Sequence, residues 1–168
     1  MRGIDLRLIL MVLFALPLAS CKDSGAAMTG TPSEVQSDVS RLGELIQLPY
    51  APSSARWLVV QKGEEDSGLG PTDWVLMAVL TFNAQDTATL RQETAALEPL
   101  GSLKVEPGFL REWFPSDVTA AFVAEAGSEL LTLALPRFEA RIFAKAPLLS
   151  GYFLVTNEGT VFLYMFTT

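Results

Sequence analysis

The sequence predicts an α+β fold: an antiparallel sheet of about four or five strands with helices packed mainly on one face. Three observations predict it. Near the C-terminus, Gly151-Tyr152-Phe153-Leu154-Val155-Thr156 and Thr160-Val161-Phe162-Leu163-Tyr164-Met165-Phe166 flank Asn157-Glu158-Gly159, which reads as a hairpin with a short glycine turn. Trp74 to Phe82 is apolar at every place except Thr81, as expected of a strand covered on both faces. Between such runs lie segments with helical spacing of apolar residues and recognisable caps.

Taken in order, Ser33 and Gln36 have capping-box spacing, and Val35, Val39, Leu42 and Ile46 recur at helical intervals until Pro49 stops the pattern. This predicts a first amphipathic helix. After an irregular stretch from Pro49 to Ser54, Arg56-Trp57-Leu58-Val59-Val60 has strand propensity, and the breaker-rich run from Gly63 to Pro71 is a loop. The strand from Trp74 to Phe82 follows. Asn83, with Asp86 three residues on, opens a second helix over Ala84 to Leu97, which ends before Pro99. Pro99 to Gly108 reads as a loop and Phe109 to Phe114 as a short helical turn. Ser116-Asp117 caps a third helix that carries Val118, Ala121 and Phe122 and ends at Gly127. Leu130 to Leu135 fits strand and helix equally. Phe138, Ala140, Ile142 and Ala144 alternate with Glu139, Arg141 and Lys145, which favours a half-exposed strand. The last strand is apolar on both faces and belongs inside the sheet.

Ahead of this region the chain has a different character. Met1 to Arg7 carries two arginines, Leu8 to Leu16 is an unbroken apolar run too short to span a bilayer as a stable helix, and Leu18-Ala19-Ser20-Cys21 closes it. Cys21 is the only cysteine. Charged start, apolar run and final four residues together resemble a bacterial lipoprotein precursor, whose processing box takes a branched aliphatic residue, two small residues and cysteine. The resemblance covers residues 1–21. It implies that residues 1–20 are a signal peptide that is removed, with cleavage between Ser20 and Cys21. It also implies that the Cys21 thiol carries diacylglycerol through a thioether and that the new amine is often acylated. One acyl chain binds a membrane reversibly, whereas two or more hold firmly. Lys22 stands where, in enterobacterial relatives, an aspartate favours inner-membrane retention, so the resemblance favours the periplasmic face of the outer membrane. Residues 21–32 are small and polar and read as a tether, on the order of 20 Å as a flexible coil. Residues 33–168 are expected to form one domain.

Without residues 1–20 the chain keeps ten basic and eighteen acidic residues, a net charge of −8. So few clustered cations argue against nucleic acid and anionic headgroups as partners, and leave a basic protein electrostatically open. With no histidine and the one thiol committed to lipid, His/Cys zinc sites, Ser-His-Asp triads and Cys-His pairs are excluded. Gly68-Leu69-Gly70 precedes a proline and lacks the third glycine of a phosphate loop. No cofactor or metal site is expected.

Two clusters remain as candidate partner-binding residues. Glu64-Glu65-Asp66 is a dense acidic run without the alternating ligands of a calcium loop; it reads as a solvated loop or as a landing place for a basic partner. Phe109 and Trp113 share a helical face beside Leu110 and Phe114, a stripe that serves either as core or as an interaction patch. Trp57 and Trp74 are expected in the core, and Arg56 and Asp73 are placed to pair across a hairpin. Glu112, Glu125 and Glu129 read as solvent-facing. The sequence therefore points away from enzymes and toward an accessory role contacting another envelope protein. An inhibitor or immunity lipoprotein that neutralises a basic toxin or lytic enzyme is the alternative, and a carboxylate-dependent envelope hydrolase a more remote one. The resemblance predicts that Cys21→Ser leaves the leader attached and abolishes incorporation of labelled palmitate. Intact-mass measurement checks both; a trimmed or labelled Cys21→Ser product would contradict it.

Overall fold

A computed structural model describes residues 34–62 and 73–167. The leader, Cys21, the tether, Ser33 and the acidic run Glu64, Glu65 and Asp66 lie outside the described residues. The strands are β1 (Ser54–Lys62), β2 (Asp73–Thr81), β3 (Lys104–Val105), β4 (Phe122–Ala124), β5 (Leu131–Leu133), β6 (Phe138–Glu139), β7 (Ser150–Val155) and β8 (Thr160–Phe166). The α-helices are α1 (Val39–Leu45), α2 (Ala84–Ala95) and α3 (Ser116–Ala120). Five strands form one sheet in the order β1-β2-β8-β7-β6, and three form a small sheet in the order β3-β5-β4. Every pairing is antiparallel, so the fold is α+β as the sequence predicts, with the small sheet added.

The alternation of side chains along a strand decides what covers the large sheet. Trp57, Leu76, Leu80, Phe153, Leu163 and Met165 point to one face, where Leu42 and Ile46 from the α1 end and Leu90 of α2 close over them. Val75, Val79, Leu154 and Phe162 point to the other, beneath Phe114, Val118, Phe122 and Leu133. Two of the three helices thus share one face. The other is roofed by α3, the small sheet and the segment before α3. Each large apolar side chain withdrawn from water here contributes roughly 1.5–3 kcal/mol.

Several local elements differ from the sequence expectation, each for an identifiable reason. Helix α1 starts at Val39, because Asp38 caps it by accepting from the Ser40 and Arg41 amides at 2.8 and 3.1 Å. Gln36 is engaged elsewhere, exchanging backbone hydrogen bonds with Trp57 at 2.8 and 2.9 Å. Pro107–Phe109 makes only a 3-10 turn and Leu110 is extended, so no helix runs to Phe114. Helix α3 stops after Ala120 because Phe122–Ala124 is drawn into pairing with β5, Phe122 opposite Leu133. The half-exposed strand expected over residues 138–145 ends at Glu139. Arg141–Phe143 turns, and buried Phe143, out of phase with the alternation, packs against Phe153.

The C-terminal hairpin forms as predicted, with a positive φ of 93° at Gly159 in its turn. Its turn is held from both sides. The Thr156 hydroxyl donates to Asp117 at 2.6 Å and accepts from the Thr160 amide at 3.0 Å. Arg91 of α2 donates to the carbonyls of Thr156 and Asn157 at 2.8 and 2.7 Å. At the other end of the hairpin, Gly151 has φ 154°, and a Cβ there would lie 2.2 Å from the Tyr164 carbonyl oxygen and 2.8 Å from the Met165 Cα. Backbone cannot yield as a flexible side chain does. Gly151→Ala is therefore expected to cost about 3 kcal/mol or more, read as a lowered chemical-denaturation midpoint; an unchanged midpoint would contradict the packing described here.

Candidate functional site

The anchor candidate Cys21 and the acidic candidates Glu64, Glu65 and Asp66 lie outside the described residues, and the acidic run connects β1 to β2 in the sequence. The aromatic candidates occupy the interior. Trp113 is 9% exposed and meets Phe114 edge-on at 4.6 Å. Half-buried Phe109 packs on Phe122, Phe162 and Tyr164 at centroid distances of 5.6, 6.1 and 5.8 Å. Their packing is that of core, so of the two readings of this stripe the interaction patch gives way to core: Phe109 packs over Phe162 and Tyr164 of β8, and Trp113 sits against Phe114. Arg56 and Asp73 do not pair either, since the register sets Arg56 opposite Val79 and Asp73 opposite Lys62. Arg56 instead lies over the Trp113 ring, 5.8 Å from its centroid. Trp57 is buried and Trp74 half-buried, while Glu112, Glu125 and Glu129 are exposed.

Position in the sheet gives β1 a property its composition does not announce. It is an outermost strand of nine residues. Because the Trp57 N–H and C=O face outward to Gln36, those of Val59 and Gln61 face outward too, by the two-residue period of the ladder. Among the described residues only Gln36 pairs with this edge, and Glu34 ahead of it sits in a bend. The opposite edge is managed differently: β6 has two residues and Leu100 pairs beside it at Arg137. Long, regular, unpaired edges are usually blunted in soluble proteins, so the asymmetry marks the end of β1 as a place for strand addition.

The surroundings of that edge are part apolar and part basic. Leu58 and Val60 are half-buried, and exposed Lys62 donates to the Tyr164 hydroxyl at 3.3 Å. Beside Lys62 and Asp73 a groove of about 280 Å³ has Tyr164 and Phe166 in its wall. Tyr164 stacks on Tyr152 with centroids 5.2 Å apart and planes at 16°, and Arg137 sits 5.0 Å from the Tyr152 ring. Burial, reinforced by Tyr164 and opposed by Arg137, drives the Tyr152 hydroxyl well above the usual tyrosine range. The even residues of β1 set Arg56 and Lys62 around Leu58 and Val60, a trace that does not by itself distinguish an edge strand from an inner one. Charges at the ends of an apolar strand face are one way edges are marked.

Among the described residues no group of three or more His, Cys, Asp or Glu is placed to hold a metal, and no helix is long and apolar enough to cross a membrane. No protein-family model, curated protein or solved structure matches the chain.

The tyrosine pair makes a pH prediction. Tyr152 stays protonated in the fold while in the unfolded chain it ionises near the ordinary tyrosine value of 10.0, so its contribution is complete below that pH and is lost as pH rises above it. Thermal melting across the alkaline range is expected to fall more shallowly for Tyr152→Phe than for the parent chain. Parallel curves would show that Tyr152 does not govern this loss.

Proposed function

We propose that this chain is a lipid-anchored accessory protein of the bacterial cell envelope that holds another envelope protein without transforming it. The placement is supported by Leu18-Ala19-Ser20-Cys21 behind a short apolar run, which favours a lipid anchor on Cys21, and by Lys22 directly after it, which favours the periplasmic face of the outer membrane. One observation carries the binding role: the outward N–H and C=O groups of Val59 and Gln61 on an outermost strand that Gln36 covers only at Trp57. An extended segment laid there gains main-chain hydrogen bonds, while its side chains on one face lie beside Val60 and Lys62.

The net charge of −8 and the acidic run after β1 favour a second version of the same role, in which the segment belongs to a basic toxin or lytic enzyme. Salt separates the two, because steering by net charge collapses as ionic strength rises, whereas strand addition with apolar contacts does not.

A photoreactive amino acid at Gln61, introduced into the full-length chain in cells, is expected to give one dominant adduct with an envelope protein. The same group at Glu129, on the far loop of the small sheet, is expected to give none. The captured protein, purified, should rebind the parent chain and lose about tenfold affinity for Gln61→Pro, in which the outward amide is gone. Adducts of equal yield from both positions, or rebinding untouched by Gln61→Pro, would overturn the edge as the docking place.

A further inference from the structure

What already covers β1 decides which segments fit the rest of its edge. Gln36 lies opposite Trp57 in an antiparallel bridge, which sets Val35 opposite Leu58. Val35 packs on the same core cluster as Leu58 and Val60. The short arm before α1 therefore acts as an added strand twice over, through the main chain of Gln36 and the side chain of Val35. On the face shared by Arg56, Leu58, Val60 and Lys62, that arm fills the position opposite Leu58. The positions opposite Val60 and Lys62 come next, and no described residue pairs there on the outer side. The other face offers a newcomer less, because Ala55, Trp57 and Val59 are buried in the core beneath α1 and α2.

Val60 and Lys62 call for different neighbours. Val60 is half-buried in the cluster that also takes Val35 and Leu58, so an apolar side chain laid opposite it continues that cluster outward. Lys62 is exposed, and its ammonium has three donors, one of which meets the Tyr164 hydroxyl at 3.3 Å. Asp73 lies opposite Lys62 in the β1–β2 ladder without forming an ion pair; the ion pairs among the described residues join Lys104 to Glu125 and Arg141 to Glu139. A carboxylate on the added strand, directly across from Lys62, supplies the charge partner that the described residues do not. Arg56 is engaged elsewhere, over the Trp113 ring.

Direction fixes the order of the two neighbours. The arm at Gln36 runs antiparallel to β1, and an antiparallel ladder is slightly the more stable per residue. In an antiparallel neighbour the residue opposite Lys62 comes two places before the residue opposite Val60. We infer, resting on the proposed docking role of this edge, that it selects an extended segment of an envelope protein in which an aspartate or glutamate stands two residues before an apolar residue. The carboxylate meets Lys62 and the apolar side chain meets Val60. This local preference is opposite in sign to steering by the net charge of −8, so it favours the envelope-protein version of the role over the basic-toxin version.

Random heptapeptides displayed on phage and selected on the full-length chain in detergent test it. Enriched segments are expected to share the acidic-any-apolar spacing and to lose binding to Gln61→Pro, in which the outward amide is gone. In a synthetic copy of an enriched segment, lysine in place of the acid is expected to weaken binding about tenfold. Lys62→Glu, at an exposed position and with an unchanged melting temperature, is expected to restore the lysine peptide and weaken the parent peptide by about the same factor. Segments that depend on Gln61 but lack the spacing, bind equally well in reversed order or ignore the charge exchange would overturn the inference and leave the edge standing as a docking place. Segments indifferent to Gln61→Pro would overturn both. A library from which nothing is enriched would overturn the inference.

Discussion

Phe162 and Leu163 are neighbours in the chain, each fully buried, and they point into opposite cores. Strand β8 repeats this along its length, and β2 does the same beside it from Val75 to Leu80. Two central strands that are apolar on both faces cannot face water on either, so the chain must supply two covers. Helices α1 and α2 form one cover. The other is assembled from a short helix, three very short strands and an irregular segment, elements that have little hold on their conformation apart from the sheet beneath them.

That dependence explains what could be read from the sequence. The hairpin over residues 151–166, the strand from Trp74 and the capped helix from Ala84 carry their signals locally, in alternation, unbroken apolarity and an Asn cap, and each is found where expected. The second cover carries no such signal. Lys104–Val105 and Leu131–Leu133 are too short to show a period, and Phe122–Ala124 reads as the tail of a helix until Leu133 is placed opposite Phe122. Phe109 and Trp113 share a spacing that suits a helical stripe, but their contacts are set by Phe162 and Phe114 and by a 3-10 turn that spacing cannot express. At the N-terminal edge Gln36 looked like a capping partner for Ser33; its pairing with Trp57 is a contact between distant segments.

The sites are less legible than the fold, for a related reason. Leu18-Ala19-Ser20-Cys21 is a contiguous string and can be read directly. An exposed strand edge is a statement about sheet order, and nothing within Ser54–Lys62 says that β1 lies outermost. A groove beside α2 gathers Thr81, Thr87, Arg91 and Glu158 from three elements, and the hairpin turn that brings Glu158 there is held by Arg91 itself and by Asp117 through Thr156. Both features are therefore products of the two-sided sheet. The edge exists because β1 ends the sheet, and the groove exists because the β7–β8 turn reaches past the sheet to α2.

Amide hydrogen exchange under native conditions, followed as denaturant is raised, tests this dependence most directly. If one sheet holds both covers, the amides of β2 and β8 exchange last, at the free energy of global unfolding, and no amide of α3 or the small sheet outlives them. Persistent protection in β4 and β5 after β8 has exchanged, or two separate unfolding transitions for the two faces, would contradict it.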